Sequence, residues 1–135
     1  MRLIAFISLL LLSISCSNSK NDQLSKLKGS WIPIQQEIGG TALPTTSFQG
    51  QKLVISDSNY TFTAESVDKG VIQCSGEKMD IYGKEGVNSG KHFTAIYKLE
   101  NDQLTICYNL SGDAYPEAFD TKGNSKFFLS VFKKE

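Results

Sequence analysis

The chain has 135 residues, 14 basic and 14 acidic side chains and 40% apolar content, enough for one hydrophobic core and short of the roughly 250 residues typical of a TIM barrel. Arg2 is the only arginine. Bidentate clamping of phosphate and base-edge reading of guanine, typically arginine work, therefore have nothing to carry them beyond the extreme N-terminus, and nucleic acid has no basic footprint to bind.

Met1 and Arg2 precede an apolar run over residues 3–12, interrupted only by Ser8, and small residues then lead to Cys16. A positive start, about ten apolar residues and small residues before a cysteine predict a secretory signal peptide over residues 1–15. The run is shorter than the roughly 20 residues that a membrane-spanning helix needs. Ser15-Cys16, with Leu12 upstream, resembles the lipobox of bacterial lipoproteins, although Ser13 stands where that motif usually has leucine. The resemblance implies acylation of Cys16, a lipid bilayer as partner, and a place in the bacterial cell envelope facing periplasm or exterior. The alternative is an ordinary secretory signal in which Cys16 is incidental. Cleavage before Cys16 discards Arg2 and leaves 13 lysines against 14 carboxylates, a faintly acidic chain.

Residues 16–23 are small and polar and read as the lipidated cysteine followed by a flexible tether, with the folded domain over residues 24–135. Asp22 can cap a short helix that places Leu24 and Leu27 on one face and ends at Gly29. Beyond it, runs rich in Val, Ile, Thr, Tyr and Phe predict strands over residues 31–38, 52–56, 60–65, 70–75, 78–82, 92–100, 103–109, 118–121 and 126–133. Turn chemistry at Asp57-Ser58-Asn59, Asp68-Lys69-Gly70 and Asn101-Asp102 joins neighbouring runs as hairpins. Such spacing predicts an all-β fold, and the hairpin connections favour an antiparallel up-and-down barrel of about eight strands over a sandwich. Closure also removes aggregation-prone edges.

Period-2 alternation assigns the interior. Tyr60 and Phe62, then Ala95, Tyr97 and Leu99, then Leu104, Ile106 and Tyr108 form apolar faces pointing inward. Phe127 and Leu129 are further inward candidates. The last run is apolar on both faces, which predicts a central strand or one covered outside by the helix carrying Leu24 and Leu27.

Leu27-Lys28-Gly29-Ser30-Trp31 resembles the Gly-x-Trp opening of lipocalins. More broadly, Gly40, Pro44, the hairpin through Leu53-Val54-Ile55 and Tyr60-Thr61-Phe62, Gly70, Met79-Asp80-Ile81, Ile96-Tyr97-Lys98-Leu99, Leu104-Thr105-Ile106-Cys107-Tyr108, Pro116, Phe119 and the closing Phe128-Leu129-Ser130-Val131-Phe132 resemble, in order, a family of uncharacterised lipocalin-like bacterial domains abundant in planctomycetes. One departure is Tyr115, where that family commonly carries an arginine before the proline. The resemblance implies a lipocalin-like barrel outside the cytoplasm and supplies no activity. In lipocalins a cation from the last strand packs over the tryptophan; here Lys133 or Lys134 could cover Trp31, alongside the structural Gly29.

No motif demands a cofactor or a metal. His92 is the only histidine and lacks a ligand at metal-binding spacing, there is no Gly-x-Ser-x-Gly, and no carboxylate pair stands out. Cys74 and Cys107 either pair or remain small buried thiols. Binding is what remains: a small apolar ligand inside the barrel, contacted by Tyr60, Phe62, Tyr97 and Tyr108, with Tyr115 on a rim loop. The alternative is a filled barrel whose polar rim loops, residues 83–90 and 111–116, contact an envelope protein. An extracytoplasmic hydrolase stands third, and would need His92 and a carboxylate, or two carboxylates, together in a cleft. An apolar pocket of about 300 Å³ or more would favour the ligand.

Overall fold

A computed structural model describes residues 18–135; the segment expected to be a signal peptide, and Cys16, lie outside the described residues. Helix α1 (Asn18–Leu27) leads into nine strands: β1 (Gly29–Ile38), β2 (Thr41–Ala42), β3 (Lys52–Ser56), β4 (Asn59–Thr63), β5 (Val67–Ser75), β6 (Lys78–Glu85), β7 (His92–Glu100), β8 (Gln103–Asn109) and β9 (Phe127–Lys134). Strands β1 and β3 to β9 pair in sequence order, and β1 pairs with β9, closing an eight-stranded antiparallel up-and-down barrel; β2 is a two-residue extension of β1. No described helix is long and apolar enough to cross a membrane.

The helix starts at Asn18, ahead of the Asp22 cap expected for it, and takes in part of the segment read as tether. Its last turn is fixed to the barrel by one bond, from the Trp31 indole N–H to the Leu27 carbonyl at 2.8 Å. Leu27, Trp31, Met79, Tyr97 and Leu104 are buried together, with Leu24 packed against them, and they fill one end of the barrel. The Lys134 ammonium lies 5.6 Å from the Trp31 ring centroid. The cation expected over the tryptophan is therefore Lys134 and not Lys133, because Trp31 is in register with Lys134 while Lys133 is opposite Ile32, one step out of phase. Gly29, at φ 135°, leaves room for that lysine: a Cβ there would come within 3.3 Å of its Cε, in a backbone region that favours glycine.

Strand β1 changes phase midway. Pro33 cannot donate to the ladder, and the β1–β9 register shifts between Pro33 and Gln35, so Ile34 bulges outward as a bulge allows. Trp31 and Pro33 therefore face inward below the bulge, and Gln36 above it.

The hairpins expected at Asp57-Ser58-Asn59 and Asn101-Asp102 form, whereas one further turn and one strand come out differently. Asn101 and Asp102 both have positive φ, 50° and 60°, as a tight two-residue hairpin between right-twisted strands requires. Asp68-Lys69-Gly70 is no turn: these residues lie within β5, and the chain reverses at residues 64–66. Residues 118–121 form no strand either. They belong to the long β8–β9 connection, residues 110–126, held by side-chain bonds instead of a ladder.

That connection accounts for the double-faced apolar strand. Phe128, Ser130 and Phe132 face the interior, whereas Leu129 and Val131 face outward with Ile96 and Cys107, beneath Tyr115 and Phe119 of the connection. Leu129 is thus not an inward residue, Phe127 shares its parity, and the cover is this loop rather than helix α1. The loop is pinned by Thr94 Oγ1 donating to the Ala114 carbonyl (2.6 Å) and by Asn109 Nδ2 donating to Asp113 (2.7 Å) and to the Ala114 carbonyl (2.9 Å). Thr121, fully buried, donates to Glu37 and accepts from the Gly40 N–H at 2.9 Å.

Candidate binding cavity

The end opposite helix α1 is not filled. A cavity of about 150 Å³ enters the barrel there, lined by Leu53, Tyr60, Phe62, Ile72, Met79, Ile81, Phe93, Ile106, Tyr108, Phe128 and Phe132, with Gln36, Asp68, Asn88, Leu110 and Ser130 adding a few polar points and part of the rim. These are the inward positions of seven strands, so alternation alone delivers the apolar wall. The volume is about that of an engineered apolar cavity that takes up benzene, and half of the roughly 300 Å³ that marks an ordinary ligand pocket.

Two glycines shape the mouth. A Cβ at Gly70 would collide with the Tyr82 carbonyl and the Tyr60 ring, so Gly70 lets Tyr60 lie flat against β5. A Cβ at Gly83 would collide with the Asn88 carbonyl, and Gly83 exchanges backbone bonds with residues of the β6–β7 loop, accepting from Gly90 N (3.0 Å) and donating to the Lys91 carbonyl (2.9 Å). The loop is thereby folded down over the opening.

The polar groups of the cavity fall into two sets. Gln36 donates to Gln51 (2.8 Å) and to Ser130 Oγ (3.3 Å), a closed pair of bonds. Asp68, 7% exposed, accepts one bond from the Asn88 backbone N–H at 3.2 Å. The Tyr60 and Tyr108 side chains line the same space, and no fully buried side-chain nitrogen or oxygen among the described residues lacks a partner. Burial pushes both phenols above the ordinary tyrosine value, with the Asp68 charge adding to the effect on Tyr60.

Of the residues expected to contact a ligand, the structure brings Tyr60, Phe62 and Tyr108 together in the cavity wall. Tyr97 faces inward but lies in the packed floor, where burial followed by the neighbouring Cys74 thiol raises its pKa. Tyr115 is outside the barrel. Its hydroxyl donates to Asp80 Oδ2 at 2.6 Å, and its ring lies under the Lys78 ammonium, 4.9 Å from the centroid. An aromatic in a connection that packs on the outer wall cannot also reach the interior. The Asp80 bond, ahead of burial, pushes the Tyr115 phenol up to about 12. Gln36 carries no signal in the sequence, Asn88 is legible only as part of the polar rim loop over residues 83–90, and Asp68 reads as a turn residue, in the wrong place.

The other Asp80 oxygen, Oδ1, lies 2.7 Å from His92 Nε2, and the His92 ring stacks on Tyr82 at 4.5 Å between centroids. The spacing to a carboxylate that the sequence lacked along one strand is supplied across β6 and β7. Both side chains are partly exposed on the outer wall, His92 at 39% and Asp80 at 21%, and among the described residues no serine or cysteine bonds to His92. A groove of about 460 Å³ runs nearby, lined by Leu24, Ser58, Ile72, Gln73, Cys74, Ser75 and Asp80; its border mixes polar and apolar side chains, unlike the apolar interior. Among the described residues, no group of three or more His, Cys, Asp or Glu is placed to hold a metal ion. Cys74 and Cys107 are free and buried, one among the interior residues and the other under the outer loop. They lie on opposite sides of the barrel wall and cannot pair.

No family model matches this chain, and no curated protein matches it.

Proposed function

We propose that this protein is a lipocalin-like lipoprotein of the bacterial cell envelope, anchored through Cys16, that binds a small apolar molecule in the open half of its barrel. The observation that carries the binding reading is the apolar cavity: eleven apolar or aromatic side chains from the barrel wall surround space that the floor, by contrast, fills. Burial of a ring-sized apolar body there would contribute about 25 cal/mol for each Å² removed from water. At about 150 Å³, the ligand is the size of a single ring or a short chain rather than a long-chain lipid. Support for the anchor is the apolar run before Cys16 and its lipobox-like ending.

Native mass spectrometry of protein purified from its own host should detect a small adduct in the wild type, lost in Ile81→Phe, which fills the cavity from a wall position. Bare wild-type protein that also takes up none of a set of ring-sized apolar probes would overturn the binding reading. Mass spectrometry of the mature chain should find an acylated Cys16 at its N-terminus, and an unmodified Cys16 would overturn the anchor.

A second reading, docking of an envelope protein on the rim, is favoured by one feature. Val67, Val87 and Leu110 are exposed (47%, 68% and 36%), and each lies at the mouth end, where apolar side chains gain from being covered.

A further inference from the structure

The cavity holds a carboxylate that its own wall does not neutralise. Asp68 is 7% exposed, yet among the described residues it meets no cation, and its only bond is from the Asn88 backbone N–H at 3.2 Å. Buried carboxylates are ordinarily paired with a cation or surrounded by donors, since one N–H compensates little of the lost hydration. Phe62 stands opposite Asp68 in the β4–β5 ladder, the Tyr60 ring covers Gly70, two residues along β5 from Asp68, and Tyr108 lines the same cavity. Both tyrosine hydroxyls have oxygen lone pairs to offer. The remaining walls are aromatic and aliphatic, from Phe62, Phe93, Phe128 and Ile81, and aromatic faces also attract a cation.

We propose that the ligand of this cavity is a small primary amine with a ring-sized apolar body, its ammonium directed at Asp68 with the Tyr60 and Tyr108 hydroxyls as further acceptors. The proposal rests on the ligand-binding reading above and specifies its chemistry. An ammonium has three N–H donors and no acceptor, which suits a set of oxygens dominated by one carboxylate. A small anion or a carboxylic acid would meet the Asp68 charge in a low-dielectric enclosure and be repelled.

The test is calorimetric titration of the domain with three probes of one shape: benzylammonium chloride, benzyl alcohol and toluene. Benzylammonium is expected to bind about tenfold or more tighter than toluene, with benzyl alcohol between, as a charge-assisted bond requires. Asp68→Asn should bring benzylammonium down to the level at which that variant binds toluene, and Tyr108→Phe should lower the ratio of benzylammonium to toluene affinity by a few-fold. Toluene binding as well as or better than benzylammonium to the wild type overturns the amine assignment while the apolar-ligand reading stands; so does a preference that survives Asp68→Asn. Failure of all three probes to bind the wild type overturns both. The wild-type comparison decides the matter even if a variant does not fold.

Discussion

At the floor of the barrel Trp31, Tyr97, Met79 and Leu104 occupy inward positions, and toward the mouth the small residues Gly70, Gly83 and Ser130 stand among the aromatic ones. The two ends share one ladder and one period and differ in how far side chains fill the interior. The floor is joined by contact between apolar surfaces and by the single Trp31–Leu27 bond. The mouth is held by backbone and side-chain hydrogen bonds, from the β6–β7 loop inside and from residues 110–126 outside. Side-chain packing is concentrated where the interior is filled, and on the binding reading the unfilled half takes a guest without rebuilding the sheet.

The strongest way to break this contrast is Trp31→Ala. It opens a large cavity in the floor and removes the donor to Leu27, and should cost about 3–5 kcal/mol in urea unfolding, enough to unfold a marginal domain. An equal loss from truncating Phe93 at the mouth would show that the two ends are not distinct.

Alkaline titration comes next. Tyr60, Tyr97, Tyr108 and Tyr115 all have pKa values raised in the fold, so their stabilisation is complete below the unfolded-chain value near 10 and is lost as pH rises above it, for Tyr115 across about 10 to 12. Each phenol that stays protonated in the fold but ionises on unfolding lowers stability by about 1.4 kcal/mol per pH unit in that window. Tyrosinate absorbance should therefore rise together with the loss of β-sheet circular dichroism. A ligand in the cavity should delay ionisation of Tyr60 and Tyr108 and leave Tyr97 of the floor unaffected. Phenols that ionise fully before the sheet unfolds would contradict this.

The smallest effect is expected from Tyr115→Phe. Loss of its bond to Asp80 should cost about 0.5–1.5 kcal/mol and speed amide exchange in residues 110–126, with no change in binding to the cavity. A change in affinity would return Tyr115 to the ligand's surroundings.

The sequence carried the ladder well where the two faces of a strand differ in polarity. In β4, β7 and β8 strict alternation put Tyr60, Tyr97 and Ile106 on the correct side. It failed in β9, where Phe127 to Phe132 is apolar on both faces and period 2 has no contrast to report; only the loop lying over Leu129 and Val131 makes the outer face apolar. Residues 118–121 misled for a related reason. The alternating Ala118-Phe119-Asp120-Thr121 looks like a strand, yet Phe119 packs on the wall and Thr121 bonds to Glu37 and Gly40, tertiary contacts that no local pattern encodes. Half of the candidate site was legible, its aromatic half. The acidic half was hidden because Asp followed by Gly two residues later has the chemistry of a turn, whereas here the carboxylate faces the cavity and the glycine accommodates a ring.

Helix α1 gives the barrel a direction. It joins at the filled end, with Leu24 in the floor packing, and Asn18 is only about 9 Å further along the helix axis at 1.5 Å per residue. In the anchored reading, a lipid attached at Cys16 would hold the floor against the bilayer and turn the mouth toward the aqueous side. The guest would then arrive by diffusion through water and not by lateral escape from the membrane, so its solubility, more than its partitioning into lipid, would set how fast the barrel is loaded.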